Sequence, residues 1–88
     1  MFYRTYVKVS AVFGEDGTIS PQSITLHGIT YPIDRVLCRR NAAALKCGGQ
    51  GMRYTVRIHG RETFLFQDEH QRWFVEEKAD VQQISAEG

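Results

Sequence analysis

Hydrophobic and polar residues alternate along most of this chain with a period of two, which is typical of β-strands. The alternation is strongest over residues 52–58, where every second residue is apolar. A two-residue reversal follows, at His59-Gly60 or Gly60-Arg61, since glycine readily takes the positive φ that tight hairpins need. In the returning limb, residues 61–66, Phe64 and Phe66 share one face and Leu65 lies on the other. The pattern therefore predicts a hairpin whose second strand is covered on both faces for part of its length.

Four further segments carry strand patterns: residues 5–13, 19–26, 29–37 and 72–77. Residues 14–17 (GEDG) and the pair His27-Gly28 have the composition of tight turns. Pro21 and Pro32 lack an amide donor, which favours an edge position or a late strand start at Pro21 and an edge strand or a bulge at Pro32. The alternation changes phase after Asp34, and a bend is expected there.

Residues 39–47 are the only segment of helical composition, with three alanines and a leucine. Because so short a helix is not stable alone, we expect one helical turn or a loop between the third and fourth strands. The glycines of residues 48–51 would end it. Residues 78–88 are polar and are predicted to be a frayed tail.

A chain of 88 residues has room for one core, so we predict a single small β domain over residues 1–77. The expected fold class is all-β, an antiparallel meander of about six strands curled into a partly open barrel. Closure would hide the strand edges that a flat sheet exposes. The pattern leaves an SH3-like and an OB-like barrel as open alternatives.

Four motifs follow one another along the chain: YPIDRVL, AALK, GGQGMRYTVRIHGRETFLF and RWFVEE. In combination they resemble a family of small bacterial proteins of about this length whose function is unknown. The resemblance covers residues 5–77 and implies a free-standing bacterial domain. It brings no activity, cofactor or catalytic residue.

The formal net charge of +1 conceals a strong segregation of charge along the chain. Residues 35–61 hold seven bases and no acid, whereas residues 62–88 hold seven acids and two bases. The glycine cluster before the central hairpin offers backbone amides that can form an anion-accepting nest. Together these features predict a site for nucleic acid or another polyanion. The candidate residues are Arg35, Arg39, Arg40, Lys46, Gly48, Gly49, Gly51, Arg53, Arg57 and Arg61.

Two further features bear on this site. Small β-barrels that bind nucleic acid combine a basic face with stacking aromatics, and Tyr31 and Tyr54 are candidates, although the alternation directs Tyr54 inward. The competing interpretation is that Glu76 or Glu77 lies opposite Arg53 or Arg61 and cancels the charge.

Other functions find less support in the sequence. No GxSxG or HExxH motif is present, and Cys47 with His59 lacks the context of a catalytic pair, so no enzyme is predicted. Cys38 and Cys47 lack zinc-knuckle spacing, which favours reduced thiols without a metal or other cofactor. No apolar run reaches the length of a membrane span, and the N-terminus lacks a signal-peptide pattern, so a cytoplasmic protein is expected.

The alternative function is protein–protein interaction or self-association as a homodimer. Phe2, Tyr3 and Tyr6 offer more apolar surface than one face of the first strand can bury. That strand is the best candidate to pair with the same strand of a second copy.

Overall fold

A computed structural model describes residues 2–42 and 51–78, and these residues form eight antiparallel β-strands. The strands are β1 (Phe2–Tyr6), β2 (Lys8–Phe13), β3 (Ile19–Leu26), β4 (Ile29–Pro32), β5 (Arg35–Ala42), β6 (Gly51–Ile58), β7 (Arg61–Asp68) and β8 (Trp73–Lys78). One sheet has the order β1-β8-β7-β6-β5 and the other the order β2-β3-β4. The all-β prediction is confirmed, and the described part of the chain contains no helix.

The chain passes between the sheets at two points. The Val7 amide donates to the Trp73 carbonyl at 3.0 Å, between β1 and β2. The Ile33 amide bonds to β3 and the next amide, that of Asp34, bonds to β6. The predicted first and third strands are each divided at these points, and the bend expected near Asp34 is confirmed.

The predicted barrel of six strands is not what the structure shows. The eight strands form two sheets that are not closed into a barrel, so neither the SH3-like nor the OB-like alternative is supported. The reason is the division of two long segments, because each half then pairs within a different sheet.

Both His-Gly reversals are tight turns of the expected kind. His27 and Gly28 have φ values of 51° and 80°, and His59 and Gly60 have φ values of 52° and 76°. Two consecutive positive φ values are the signature of a type I′ hairpin turn. The central hairpin therefore has the register implied by a two-residue turn, with Ile58 opposite Arg61.

The two prolines behave differently. Pro32 ends β4, an edge strand, as predicted. Pro21 lies in β3, the central strand of its sheet, so the edge prediction is wrong for the strand as a whole. Pairing with β4 begins only at Ser23, however, and Pro21 lies where the register with β2 shifts next to Ala11. The proline is therefore accommodated at a bulge.

The predicted helical turn is not supported where the chain is described. Residues 39–42 belong to β5, where Arg39 pairs with Tyr54 and Asn41 pairs with Met52. Ladder hydrogen bonds to β6 satisfy these backbone groups, which a single isolated turn does poorly. Residues 43–50 and the tail after residue 78 lie outside the described ranges.

The main core lies between the two sheets. Its buried members are Ile24 of the three-stranded sheet and Tyr54, Val56 and Leu65 of the five-stranded sheet. Trp73 packs against this cluster with its ring 5.2 Å from that of Tyr54. We call this side of the five-stranded sheet the inner face and the opposite side the outer face.

The outer face has a buried cluster of its own. Phe66 and Phe74 are buried there, although no strand covers them in the described ranges. Leu65 is buried on the inner face, so the prediction that β7 is covered on both sides for part of its length is confirmed. No helix in the described part of the chain is long and apolar enough to cross a membrane.

Candidate nucleic-acid interface

Four arginines on the outer face form two cross-strand pairs. Arg35 of β5 lies opposite Arg57 of β6, and Arg40 lies opposite Arg53. Directly opposed residues of an antiparallel pair share a face, and like charges in that position are mutually destabilising. We call these residues the arginine quartet. Its geometry concentrates positive charge on the surface of β5 and β6.

The quartet is reinforced by an irregularity in β5. The register shifts between Val36 and Cys38, which leaves Leu37 as an extra residue. Arg35 and Arg40 are five residues apart, an odd number, so in a regular strand they would point to opposite faces. The bulge therefore brings both arginines to the outer face. The Arg40 Nε donates to the Cys38 Sγ between them, at 3.3 Å.

An aromatic row runs across the neighbouring strands of the same face. Its four rings are Tyr6, Phe74, Phe66 and Phe64. Phe66 and Phe74 stack with their centroids 5.2 Å apart and their planes inclined by 11°. Tyr6 lies 5.7 Å from Phe74, and Phe64 lies 6.3 Å from Phe66, both in edge contacts. The central two rings are buried, whereas Phe64 and Tyr6 are each 47% exposed.

Arginine side chains cover this row. The guanidinium carbon of Arg4 lies 4.4 Å from the Phe74 ring centroid. Arg53 lies 4.7 Å from Phe64, and Arg72 lies 4.8 Å from Tyr6. These contacts combine cation–π attraction with burial of the arginine stems. The Arg4 contact helps to explain the burial of Phe74, and Phe66 is enclosed by the rings of Phe64 and Phe74.

The positive charge of the outer face is only partly compensated. Glu62 lies 3.6 Å from Arg57, in a solvent-exposed pair that contributes little. Asp68 pairs with Arg72 at 3.1 Å, and Glu76 lies opposite Arg4 in the register. In the described ranges, six arginines on this face stand against three carboxylates. The six are Arg4, Arg35, Arg40, Arg53, Arg57 and Arg72.

The expected cross-strand pairing of Glu76 or Glu77 with Arg53 or Arg61 is not found, although both glutamates line one cleft with Arg61. Arg53 lies between Arg40 and Phe66, and its guanidinium makes no ion pair with a described residue. Glu77 lies opposite Tyr3 and faces inward. The Nε atoms of Arg53 and Arg57 are buried and have no hydrogen-bond partner in the described ranges. The quartet therefore retains unused donors.

Asp68 holds the turn that follows β7. Its carboxylate accepts hydrogen bonds from the amides of His70 and Arg72, both at 2.9 Å, and from the Arg72 guanidinium. Burial of Asp68 acts to raise its pKa, but these hydrogen bonds and the Arg72 charge together lower the pKa below its ordinary value. Asp68 therefore stays ionised and fixes Arg72 beside the aromatic row.

The structure brings only some of the predicted site residues together. Arg35, Arg40, Arg53 and Arg57 meet in the quartet. Arg39 lies on the inner face opposite Tyr54, on the side of the turn residue Asp16. Arg61 begins β7 and lines a cleft between the sheets. Lys46, Gly48 and Gly49 lie outside the described ranges.

Gly51, predicted as part of an anion nest, lies within β6, paired with Ala42 and Asp68. A Cβ atom added there would come within 2.5 Å of the Gln67 carbonyl oxygen. This glycine is therefore explained by the close approach of β7.

The stacking residues proposed from sequence are not on this face. Tyr54 is buried in the core, as its alternation indicated, and Tyr31 lies 6.3 Å from His59 in an edge contact near the cleft. The sequence pattern did not indicate the aromatic row or the two arginines, Arg4 and Arg72, that lie over Phe74 and Tyr6. One signal was present, because a two-residue turn at His59-Gly60 places Phe64 and Phe66 on the face of Arg53.

No protein-family model, curated protein or solved structure matches this chain. The described residues also contain no group of three or more histidine, cysteine, aspartate or glutamate side chains able to hold a metal ion. The resemblance to a bacterial family remains a prediction, and the site geometry alone supports a function.

Proposed function

We propose that this protein is a non-catalytic binding module whose outer face binds single-stranded nucleic acid. The observation that carries the proposal is the arginine quartet beside the exposed ring of Phe64. Phosphates would contact the quartet, and bases would stack on the exposed rings of the aromatic row. The cytoplasmic setting expected from the sequence is compatible with this partner.

The quartet supports an anionic partner for an energetic reason. Two pairs of like charges on neighbouring strands weaken the sheet in isolation. A bound phosphate chain would relieve the repulsion and release counterions, which is the main source of affinity for nucleic acids. Glu62 alone does not supply this compensation, because it reaches only Arg57 and is itself exposed.

The aromatic row supports a single strand over a duplex. Open sheets bind unpaired bases by stacking them on exposed aromatic rings, whereas paired bases present no free ring face. Phe64 already has a planar guanidinium, that of Arg53, against its ring. A base can take the place of that guanidinium while the freed arginine turns toward a phosphate.

The test is a fluorescence-anisotropy titration of labelled single- and double-stranded oligonucleotides at low and at physiological salt. We expect saturable binding that is tighter for the single strand and weakens with salt. The Arg53→Glu/Arg57→Glu variant removes two contacts and should reduce the slope of log affinity against log salt by about 1.4.

The matched control is Arg39→Glu/Arg61→Glu, which changes the net charge equally but alters residues outside the quartet. This control should keep most of the affinity if the quartet is the site. Equal losses of affinity in both variants would show that binding depends on net charge and not on the quartet. An absence of binding at low salt would reject the proposal.

Stacking is tested separately by Phe64→Ala. Loss of one base–aromatic stack should weaken single-strand binding by about 1–3 kcal/mol and leave the salt slope unchanged. Substitution of an exposed aromatic away from the row, Phe13→Ala, serves as the control. Unchanged affinity in Phe64→Ala would leave an electrostatic site without stacking.

Self-association is the second candidate, and the position of β1 favours it. This strand forms one edge of the five-stranded sheet, with Tyr3 and Tyr6 about half exposed. The opposite edge, β5, carries exposed arginines that discourage pairing with another strand. A dimer formed through β1 would therefore continue the sheet across a two-fold axis.

Sedimentation velocity over a range of protein concentrations tests this alternative. A dimer that persists at high salt and is lost in Tyr3→Lys would support it, since contact through an apolar edge depends little on ionic strength. A monomer at every concentration would exclude it.

A further inference from the structure

A cleft opens between the two sheets, on the inner side of the five-stranded sheet and away from the quartet. Its volume is about 340 Å³. The walls are largely apolar and come from both sheets, with contributions from Ile24, Leu26, Tyr31, Ile58, Thr63 and Val75. A concave apolar site of this size lies within the range that small organic ligands occupy.

The two His-Gly turns border the mouth of this cleft. Leu26, immediately before the first turn, and Ile58, immediately before the second, both line it. The Nε2 atom of His27 lies 3.7 Å from the Glu77 carboxylate, and the His59 ring lies in edge contact with Tyr31. The mouth is therefore framed by two type I′ turns with polar side chains at the rim.

The charges at the rim are unequally satisfied. Glu77 accepts a hydrogen bond from the Thr5 hydroxyl and faces His27. Glu76 and Glu77 both line the cleft, and Glu76, which lies opposite Arg4 in the register of β1 and β8, also has an interaction partner. Arg61 lines the cleft and is exposed, and its side chain makes no hydrogen bond or ion pair with another residue in the described ranges. The group without a partner at this rim is thus a cation.

We propose that the cleft binds a small amphipathic organic anion, with its apolar chain between the sheets and its acidic group on Arg61. The apolar walls select the chain by the hydrophobic effect. The fork of guanidinium donors suits a carboxylate, which it can bind through two parallel hydrogen bonds. This site is independent of the proposed nucleic-acid interface, because the two lie on opposite faces of one sheet.

The test is a titration of the full chain with octanoate, followed by two-dimensional ¹H–¹⁵N NMR. We expect saturable shifts at the amides of Leu26, Ile58 and Val75, with the outer face unaffected. Arg61→Gln should weaken octanoate binding about tenfold, which is typical for loss of a hydrogen bond to a charged group. Octanol, which has the same chain without the charge, should bind wild type and variant equally.

Arg39→Gln is the matched control, since it removes one inner-face arginine outside the cleft and should leave octanoate affinity unchanged. The spectrum of each variant without ligand reports whether it is folded. The proposal is overturned if octanoate gives no saturable shifts, shifts another surface, or binds Arg61→Gln as well as wild type. Cleft shifts that follow protein concentration without octanoate would instead identify a second copy as the occupant.

Discussion

The two faces of the five-stranded sheet bury aromatic and aliphatic side chains in different ways. On the inner face, Tyr54, Val56 and Leu65 are covered by a second sheet whose backbone is held by its own ladder. On the outer face, Phe66 and Phe74 are equally buried, but guanidinium groups lie over the row. A side chain can rotate away within nanoseconds, whereas a sheet cannot. The two faces are therefore equally buried, but the cover of the inner face is fixed and the cover of the outer face can be displaced.

The largest expected loss of stability comes from a substitution in the core of the inner face. Leu65→Ala removes a fully buried side chain from the core between the sheets, and a cost of about 2–5 kcal/mol in unfolding free energy is expected. Urea unfolding followed by tryptophan fluorescence measures it, since Trp73 packs against this core. Its neighbour Phe64, on the outer face, is the comparison. Phe64→Ala should cost only about 1 kcal/mol because the ring is 47% exposed. Equal costs would contradict the distinction between the faces.

A smaller effect concerns the contact between β6 and β7. Gly51→Ala places a Cβ atom 2.5 Å from the Gln67 carbonyl oxygen, so the strands must separate locally at a cost of about 1–3 kcal/mol. Thermal unfolding measures the change. Gly28→Ala is a useful contrast, because its Cβ would meet nothing within 4 Å and its cost comes only from a φ of 80°. A neutral Gly51→Ala would show that glycine there serves another purpose.

The Asp68 turn makes stability depend on pH. The pKa of Asp68 is lowered in the folded state, so its contribution is present above the unfolded value of about 4 and is lost as pH falls through the folded value. In Asp68→Asn, the unfolding free energy should fall less steeply below about pH 4. At neutral pH it should be lower than in the wild type by about 1–2 kcal/mol. Urea midpoints between neutral and strongly acidic pH measure both effects. Glu69→Gln in the same turn is the control, and an unchanged pH profile in Asp68→Asn would reject the assignment.

The smallest expected effect has the opposite sign. Arg40→Gln relieves the repulsion between Arg40 and Arg53 and should stabilise the free protein by about 0.2–0.5 kcal/mol. The gain should shrink with added salt and should be accompanied by weaker oligonucleotide binding. Melting temperatures at low and high salt measure it, with Arg39→Gln as the inner-face control. A destabilised Arg40→Gln would indicate that the quartet is a structural feature, held by contacts such as that with Cys38.

The local features of the fold were predictable because they depend on near neighbours. Alternation gave the β6–β7 hairpin and the inward direction of Tyr54, and the His-Gly pairs gave both tight turns. The division of the first and third segments was not fully predictable. The division depends on which strand lies beside each half of the segment. The sequence indicated it only in the third segment, through the change of alternation near Asp34.

The candidate site was predictable in part for the same reason. Arg53 and Arg57 share a face by alternation, but their opposition to Arg40 and Arg35 requires the bulge at Leu37. The aromatic row required the pairing of β1 with β8, which brings Tyr6 beside Phe74 from opposite ends of the chain. Pairing between strands so far apart in sequence is not indicated by the periodicity of either strand.

The sequence by itself determined the β class, the central hairpin and a surplus of arginine between residues 35 and 61. Only the tertiary structure decided that four of those arginines face outward together, that Arg39 and Arg61 do not join them, and that a cleft lies beneath the opposite face. The physical reason is that alternation assigns each residue to a face within its own strand. Strand order, register shifts and the crossing points between sheets then decide which faces meet.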